Sequence, residues 1–232
     1  IDGNGGTDTI QGGAGNDSIA FRGTEALLDG GSGSDTLLLA GATGITTIDF
    51  SVAPGADQTL GDSGTVRNFE SIDATTLAIG VTVIGSTGAN MVTTGSGDDL
   101  IDGRGGADTL AGGAGNDTIH YYGTEAAIDG GTGTNTLIVH TATDINLSRA
   151  DQTSGDTTAV SSFQNVDATA LGATQDIIIT GSGGANLITG GDGADTLDGG
   201  GGADTLLSGA GNDTISYRAS ETLLDGGTGF NT

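Results

Sequence analysis

The sequence predicts an all-β chain: a solenoid of parallel strands wound in 18-residue coils of two nonapeptides each, interrupted by wider coils. Three observations predict it. Glycine supplies 47 of 232 residues and proline one, a composition that disfavours helix and supplies turns. A nine-residue rule, G-G-x-G-x-D-x-U-x with U aliphatic, returns in phase through successive units. In each unit six turn-forming residues precede three strand-forming ones. Only the middle residue of the three is regularly apolar, so each unit points one side chain inward.

The first block, residues 1–38, has units starting at 3, 12, 21 and 30, with "GGAGNDSIA" at 12–20. The second, 85–138, holds six units, among them "GGAGNDTIH" at 112–120. The third, 181–232, contains "GGDGADTLD" and "SGAGNDTIS". Inward positions such as Ile101, Ile119 and Leu137 are expected to stack into aliphatic ladders at about 4.8 Å per coil. Two inserts, 39–84 and 139–180, separate the blocks and are related to each other. "ADQT" occurs in both, and "FESIDAT" at 69–75 answers "FQNVDAT" at 163–169. Their strand-like segments "TTIDF", "FESID" and "VTVIG" predict wider coils that continue the solenoid, with two packed loops as the alternative. The chain begins at "IDG" and stops at "GFNT", both inside a repeat, and so reads as a fragment.

Thirty acidic residues face five basic ones, all arginine, for a formal charge of −25. Such a chain repels nucleic acid and anionic membranes, and multivalent cations are its natural partners. With no tryptophan, three tyrosines and five phenylalanines, the core must be thin. One buried aliphatic side chain per nonapeptide is too little to hold such a fold, and the absence of cysteine excludes disulfides. Another staple is required. No apolar run reaches transmembrane length, so membrane insertion is not expected.

Catalytic signatures are missing. There is no G-x-S-x-G elbow, no lysine for a phosphate-gripping loop and no EF-hand spacing. His120 falls where the neighbouring copies have Ala20 and Ser216, and His140 where the first copy has Ala40. Both histidines are read as exposed residues outside any triad or zinc site, and no enzyme is expected.

The nonapeptide resembles the repeat of the RTX (repeats-in-toxin) family of calcium-binding β-rolls, over all three blocks. That resemblance implies a parallel β-roll in which turn carbonyls and the aspartate at position six hold Ca²⁺ between turns two nonapeptides apart. Ca²⁺ accepts six to eight hard oxygen ligands, which two such turns supply. Carried over residue by residue, the pairs with two aspartates are Asp17 with Asp35, Asp99 with Asp117, and Asp195 with Asp213. Mixed pairs, with weaker binding expected, are Asn90 with Asp108, Asp117 with Asn135, Asn186 with Asp204, and Asp213 with Asn231. These make about seven candidate sites. Asp8 is a further candidate ligand whose forward neighbour is Ala26.

Three units depart from the rule: "FRGTEALLD" at 21, "YYGTEAAID" at 121 and "YRASETLLD" at 217. Phe21, Tyr121 and Tyr217 are read as packing plugs, the alternative being an outward contact shared with Glu25, Glu125 and Glu221. The inserts are expected to be calcium-poor, with Asp57, Asp62, Asp73, Asp151, Asp156 and Asp167 capping turns and calcium binding by them as the alternative.

The resemblance further implies the tandem-repeat region of a large bacterial protein exported by type I secretion. The function expected is a calcium-binding structural repeat module of a secreted or cell-surface protein of adhesin, surface-layer or filament type, folding on calcium outside the cell. The alternative is the non-catalytic RTX domain of a secreted hydrolase or polysaccharide-modifying enzyme. Head-to-tail self-association and contacts with a cell surface or extracellular matrix are the partners expected besides calcium.

Overall fold

The computed structural model describes residues 1–42 and 44–232. The described residues form strands and turns without a helix. The chain makes two compact units, residues 1–117 and 118–232, and both are parallel β-solenoids.

In the first unit Ser18–Phe21 runs parallel to Thr36–Leu39 with Ile19 opposite Leu37, and Thr9–Ala14 runs parallel to Leu27–Ser32 with Ile10 opposite Leu28. Partners separated by two units of the repeat are what two nonapeptides per coil require. The ladder Ile19, Leu37, Ile72, Val92 and Leu110 lines one wall. Ile48, Val83 and Ile101 line another. All eight are buried, whereas Thr109, beside Leu110, is exposed. The second unit repeats the design, with Ile119, Leu137, Val166, Ile188, Leu206 and Leu224 as one ladder. Ile145, Ile179, Leu197 and Ile215 form the other. Each fully buried rung contributes roughly 1.5–3 kcal/mol.

Both inserts continue the stack as wider coils, as their strand-like segments predict. Thr36 pairs with Ser71 and Thr47 with Thr82 in the first, and Thr136 pairs with Asn165 and Ile145 with Ile179 in the second, all in parallel. Each insert also makes an antiparallel excursion that the strand pattern does not anticipate: Ile48 faces Thr59, and Ile145 faces Thr153. A buried glutamine ties the excursion down. Gln58 accepts from the Phe69 N–H at 2.9 Å and donates to the Phe69 carbonyl at 2.9 Å, and Gln152 treats Phe163 in the same way. This is the physical content of the shared "ADQT" motif, since a buried amide must place both its donor and its acceptor.

Tight stacking of the turns explains the glycines. At Gly31 φ is +105°, and a Cβ there would run into the Gly13 carbonyl of the preceding coil. Only glycine accepts both conditions.

The plug reading holds for two of its three residues. Phe21 and Tyr121 are fully buried, but Tyr217 is 71% exposed. The glutamates do not reach outward from these units. Glu25 accepts from the N–H groups of Arg22 and Thr24, and Glu125 from those of Tyr122 and Thr124, each carboxylate capping its own turn. Glu221 does the same with Arg218 and Ser220.

Candidate functional site: the stacked turns

The position-six aspartate closes the turn and immediately precedes the strand, so its side chain folds back over its own turn. A Cβ at Gly12 would lie 2.7 Å from Asp17 Oδ2. The first glycine of the unit is therefore the space the carboxylate occupies. In the units at 21 and 121 both features vanish together, with an aromatic first residue and Ala26 or Ala126 at position six. Thr94 and Ser208 are small hydroxyl-bearing exceptions, in the units of Asp99 and Asp213.

The pairing of turns two units apart appears directly as hydrogen bonds. The Asp17 N–H donates to Asp35 Oδ1 at 2.8 Å, Asp99 N–H to Asp117 Oδ1 at 2.9 Å, and Asp195 N–H to Asp213 Oδ1 at 2.9 Å. Mixed pairs obey the same rule: Asn90 N–H to Asp108 Oδ1 at 2.8 Å, Asn186 N–H to Asp204 Oδ1 at 2.9 Å, and Asp213 N–H to Asn231 Oδ1 at 2.9 Å. Asp117 belongs to the first unit and Asn135 to the second. Within its own unit Asn135 donates its N–H to Gln164 Oε1 at 2.7 Å. The Asp8 carbonyl accepts from Ala26 and Leu27, and with Ala26 at the equivalent position of the next coil no carboxylate follows it there.

In Asp35, Asp204 and Asp213 one carboxylate oxygen is thus engaged by the preceding coil. The other is the test of whether the turn suits a cation. Asp17 Oδ2, Asp35 Oδ2, Asp204 Oδ2 and Asp213 Oδ2 are buried and make no hydrogen bond. A buried, unpaired anionic oxygen is costly, and a hard cation is the group that would satisfy it. Asp195 differs, since its Oδ2 accepts from the Gly191 N–H at 2.7 Å. Burial pushes the Asp99 and Asp195 carboxyls above the usual range. Burial, with the nearby charges of Asp99 and Asp98, lifts Asp117 to about 6 although the Asp99 N–H pulls it down. Among the described residues no three His, Cys, Asp or Glu side chains cluster as a metal site by themselves, so turn carbonyls would have to complete any shell.

The asparagines are engaged differently. Asn90 Oδ1 accepts from the Ser86 N–H and its Nδ2 donates to the Glu70 carbonyl; Asn186 does the same with Ser182 and Gln164. Both join the first coil after an insert to the insert itself.

Two sets of residues in these turns escape a reading of the consensus. Glu70 takes the position-six role in the first insert, accepting from the Asp35 N–H at 2.8 Å, and Gln164 is its counterpart in the second. Burial raises the Glu70 carboxyl, and the Asp35 charge adds to that. The signal was available, since "FES" and "FQN" precede an aliphatic as "NDT" does. At position five, side chains bond in the opposite direction. Asn16 Oδ1 accepts from the Ser34 N–H at 3.0 Å, Asp98 Oδ1 from Asn116 at 2.7 Å, Asp176 Oδ1 from Ala194 at 2.8 Å and Asn212 Oδ1 from Phe230 at 3.0 Å. The recurrent "ND" was the clue.

The insert aspartates cap turns. Asp73 Oδ1 accepts from Thr75 and Asp167 Oδ1 from Thr169, while Asp57 and Asp151 accept from Val66 and Val160. Asp156 accepts from the Thr158 N–H and from the Tyr121 hydroxyl at 2.7 Å. Asp62 leaves a buried Oδ2 without a partner.

The RTX calcium-binding nonapeptide repeat, four copies per match, fits residues 1–20, 84–119 and 180–215. Within these segments the turns are RTX repeats. The matched segments contain the links from Asn90 to Asp108, Asp99 to Asp117, Asn186 to Asp204 and Asp195 to Asp213, while Asp35, Asn135 and Asn231 lie outside them. RTX repeats bind Ca²⁺ and occur in proteins that bacteria secrete, so the chain carries a calcium-binding module of that kind. Comparison with curated proteins gives no match.

The expected exposure of the histidines is corrected. His120 and His140 are half-buried, and their ring nitrogens face each other at 2.8 Å. The parallel pairing of Thr118–Tyr121 with Thr136–Val139 brings them together, a contact that the nonapeptide period does not announce.

Proposed function

We propose that this chain is a calcium-stapled structural repeat of a secreted or cell-surface bacterial protein, of adhesin, surface-layer or filament type, which folds when it meets calcium outside the cell. The observation that carries the reading is the divided aspartate: one oxygen on the neighbouring coil's N–H, the other buried and unbonded, in Asp35, Asp204 and Asp213. The strongest sites are assigned to Asp17 with Asp35, Asp99 with Asp117, and Asp195 with Asp213. Asn90 with Asp108 and Asn186 with Asp204 are assigned weaker sites, because the asparagine oxygens already accept from serine N–H groups. The RTX blocks 1–38, 85–138 and 181–232 are the stapled segments, and the inserts 39–84 and 139–180 are calcium-poor coils.

Calcium supplies charge neutralisation and a shared oxygen shell. The chain's own residues position that shell, since Asp35, Asp117, Asp204 and Asp213 are each fixed by the amide one coil away. Without the ion, folding must bury carboxylates and concentrate a formal charge of −25. Binding free energy is then folding free energy. Nested copies joined by related inserts favour a spacer role, in which length is the product.

Circular dichroism of the calcium-depleted chain, followed by calorimetric calcium titration, tests the proposal. A cooperative gain of β signal at millimolar calcium is expected. An identical β spectrum at zero and millimolar calcium overturns it.

A further inference from the structure

We propose a cation site outside the nonapeptide consensus, at the boundary between the first block and its insert: Ca²⁺ held by Asp35, Glu70 and the Asn68 carbonyl. The site rests on the reading of the turns as calcium sites, and adds to it a ligand set that the consensus lacks.

Two acceptors face each other across this boundary. Asp35 is fully buried, and its Oδ2 makes no hydrogen bond. A Cβ placed at Gly30 would meet Asp35 Oδ2 at 2.7 Å and, closer still, the Asn68 carbonyl oxygen of the following coil. Neither oxygen can donate, so the pair calls for a positive group between them. Glu70 brings a second carboxylate to the same place, since its Oε2 accepts the Asp35 N–H at 2.8 Å. Arg67, the cation next to Asn68 in the chain, is already committed to Asp29 at 2.8 Å. Asn68 itself is held in a left-handed conformation, φ +58°, by side-chain bonds to Asp29 Oδ1 and the Gly55 N–H, so its carbonyl is preset.

The lining matches that of a repeat turn. At Gly190, inside a matched RTX segment, a Cβ would likewise meet Asp195 Oδ2 at 2.6 Å and the Ser208 carbonyl. Carboxylate and carbonyl oxygens are the ligands Ca²⁺ takes, and further turn carbonyls and water fill a shell of about six to eight.

The second copy does without the ion. Asn135 and Gln164 stand in the places of Asp35 and Glu70, and Ser162, φ +67°, in that of Asn68. There Asn135 Nδ2 donates to the Ser162 carbonyl at 3.0 Å, and Gln164 Oε1 accepts the Asn135 N–H at 2.7 Å. An amide proton fills the gap that the acid leaves open. Both acids are exchanged for amides together, which a shared ion explains.

Calcium titration of the full chain by calorimetry, with circular dichroism in saturating calcium, tests the site. Glu70→Gln is expected to bind about one ion fewer than the parent at millimolar calcium and to keep the calcium-loaded β spectrum. In the reverse direction, Asn135→Asp with Gln164→Glu should bind about one ion more than Asn135→Asp alone. Where Glu70→Gln fails to fold, the reverse pair decides. Unchanged stoichiometry in Glu70→Gln, or no gain in the reverse pair, overturns the inference and leaves the consensus turns standing. A parent chain that binds no calcium overturns the reading beneath it as well.

Discussion

At the scale of single residues, two equivalent positions have been filled differently, and the difference is measurable. Tyr121 donates its hydroxyl to Asp156 Oδ2 at 2.7 Å, and burial together with Asp156 holds that hydroxyl's proton more firmly than usual. In the first copy the ring is Phe21, and Asp62, the counterpart of Asp156, keeps a buried Oδ2 without a partner. A point above Gly64 lies 3.5 Å from that oxygen and 3.6 Å from the Phe21 ring edge, so the two groups are already neighbours. Phe21→Tyr is expected to stabilise the calcium-loaded protein by about 1–3 kcal/mol, and Tyr121→Phe to destabilise it by about as much. Denaturant midpoints in saturating calcium check both, and a destabilising Phe21→Tyr would refute the equivalence.

At the scale of the coil, the amide-to-carboxylate link decides how many sites a substitution harms. Asp213 receives the Asp195 N–H and gives its own to Asn231, so it serves two turns, whereas Asp8 has Ala26 ahead of it. Asp213→Ala should lower the calcium stoichiometry by about two ions and Asp8→Ala by at most one. Calorimetric stoichiometry distinguishes them, and equal losses would contradict the pairing. The two-nonapeptide coil, the inward ladders and the pairing were legible in the sequence because a solenoid converts sequence period into spatial neighbourhood. Residues outside the period were not. Glu70 and Gln164 reach their partners across inserts of unlike length, 35 and 29 residues away. His120 and His140 meet only because the strands in that coil run beyond the minimal x-U-x triplet, which the consensus does not encode.

For the whole molecule, acidity competes with calcium for the same oxygens. The carboxyl of Asp117 titrates at about 6 when folded against an ordinary 3.8, and burial raises Asp99, Asp195 and Glu70 as well. A raised carboxyl favours the metal-free fold fully below the ordinary value, and that contribution is lost as pH rises through the folded value. Calcium-depleted protein should therefore show more β structure near pH 4.5 than at 7.5. Calcium affinity should run the other way and weaken as pH falls through about 6, because ion and proton exclude each other at one oxygen. Circular dichroism and calcium titration across that window provide the check, and a metal-free spectrum that loses structure on acidification would contradict the sign.

The opposed side-chain links at positions five and six govern where damage to the stack is felt. Removing Asp35 strips the acceptor from an amide in the coil before it, while removing Asn16 strips one from the coil after it. A lesion in one turn is thus displaced into its neighbour, backwards or forwards according to which of two adjacent letters was changed, and the wounded coil itself keeps its own amides covered.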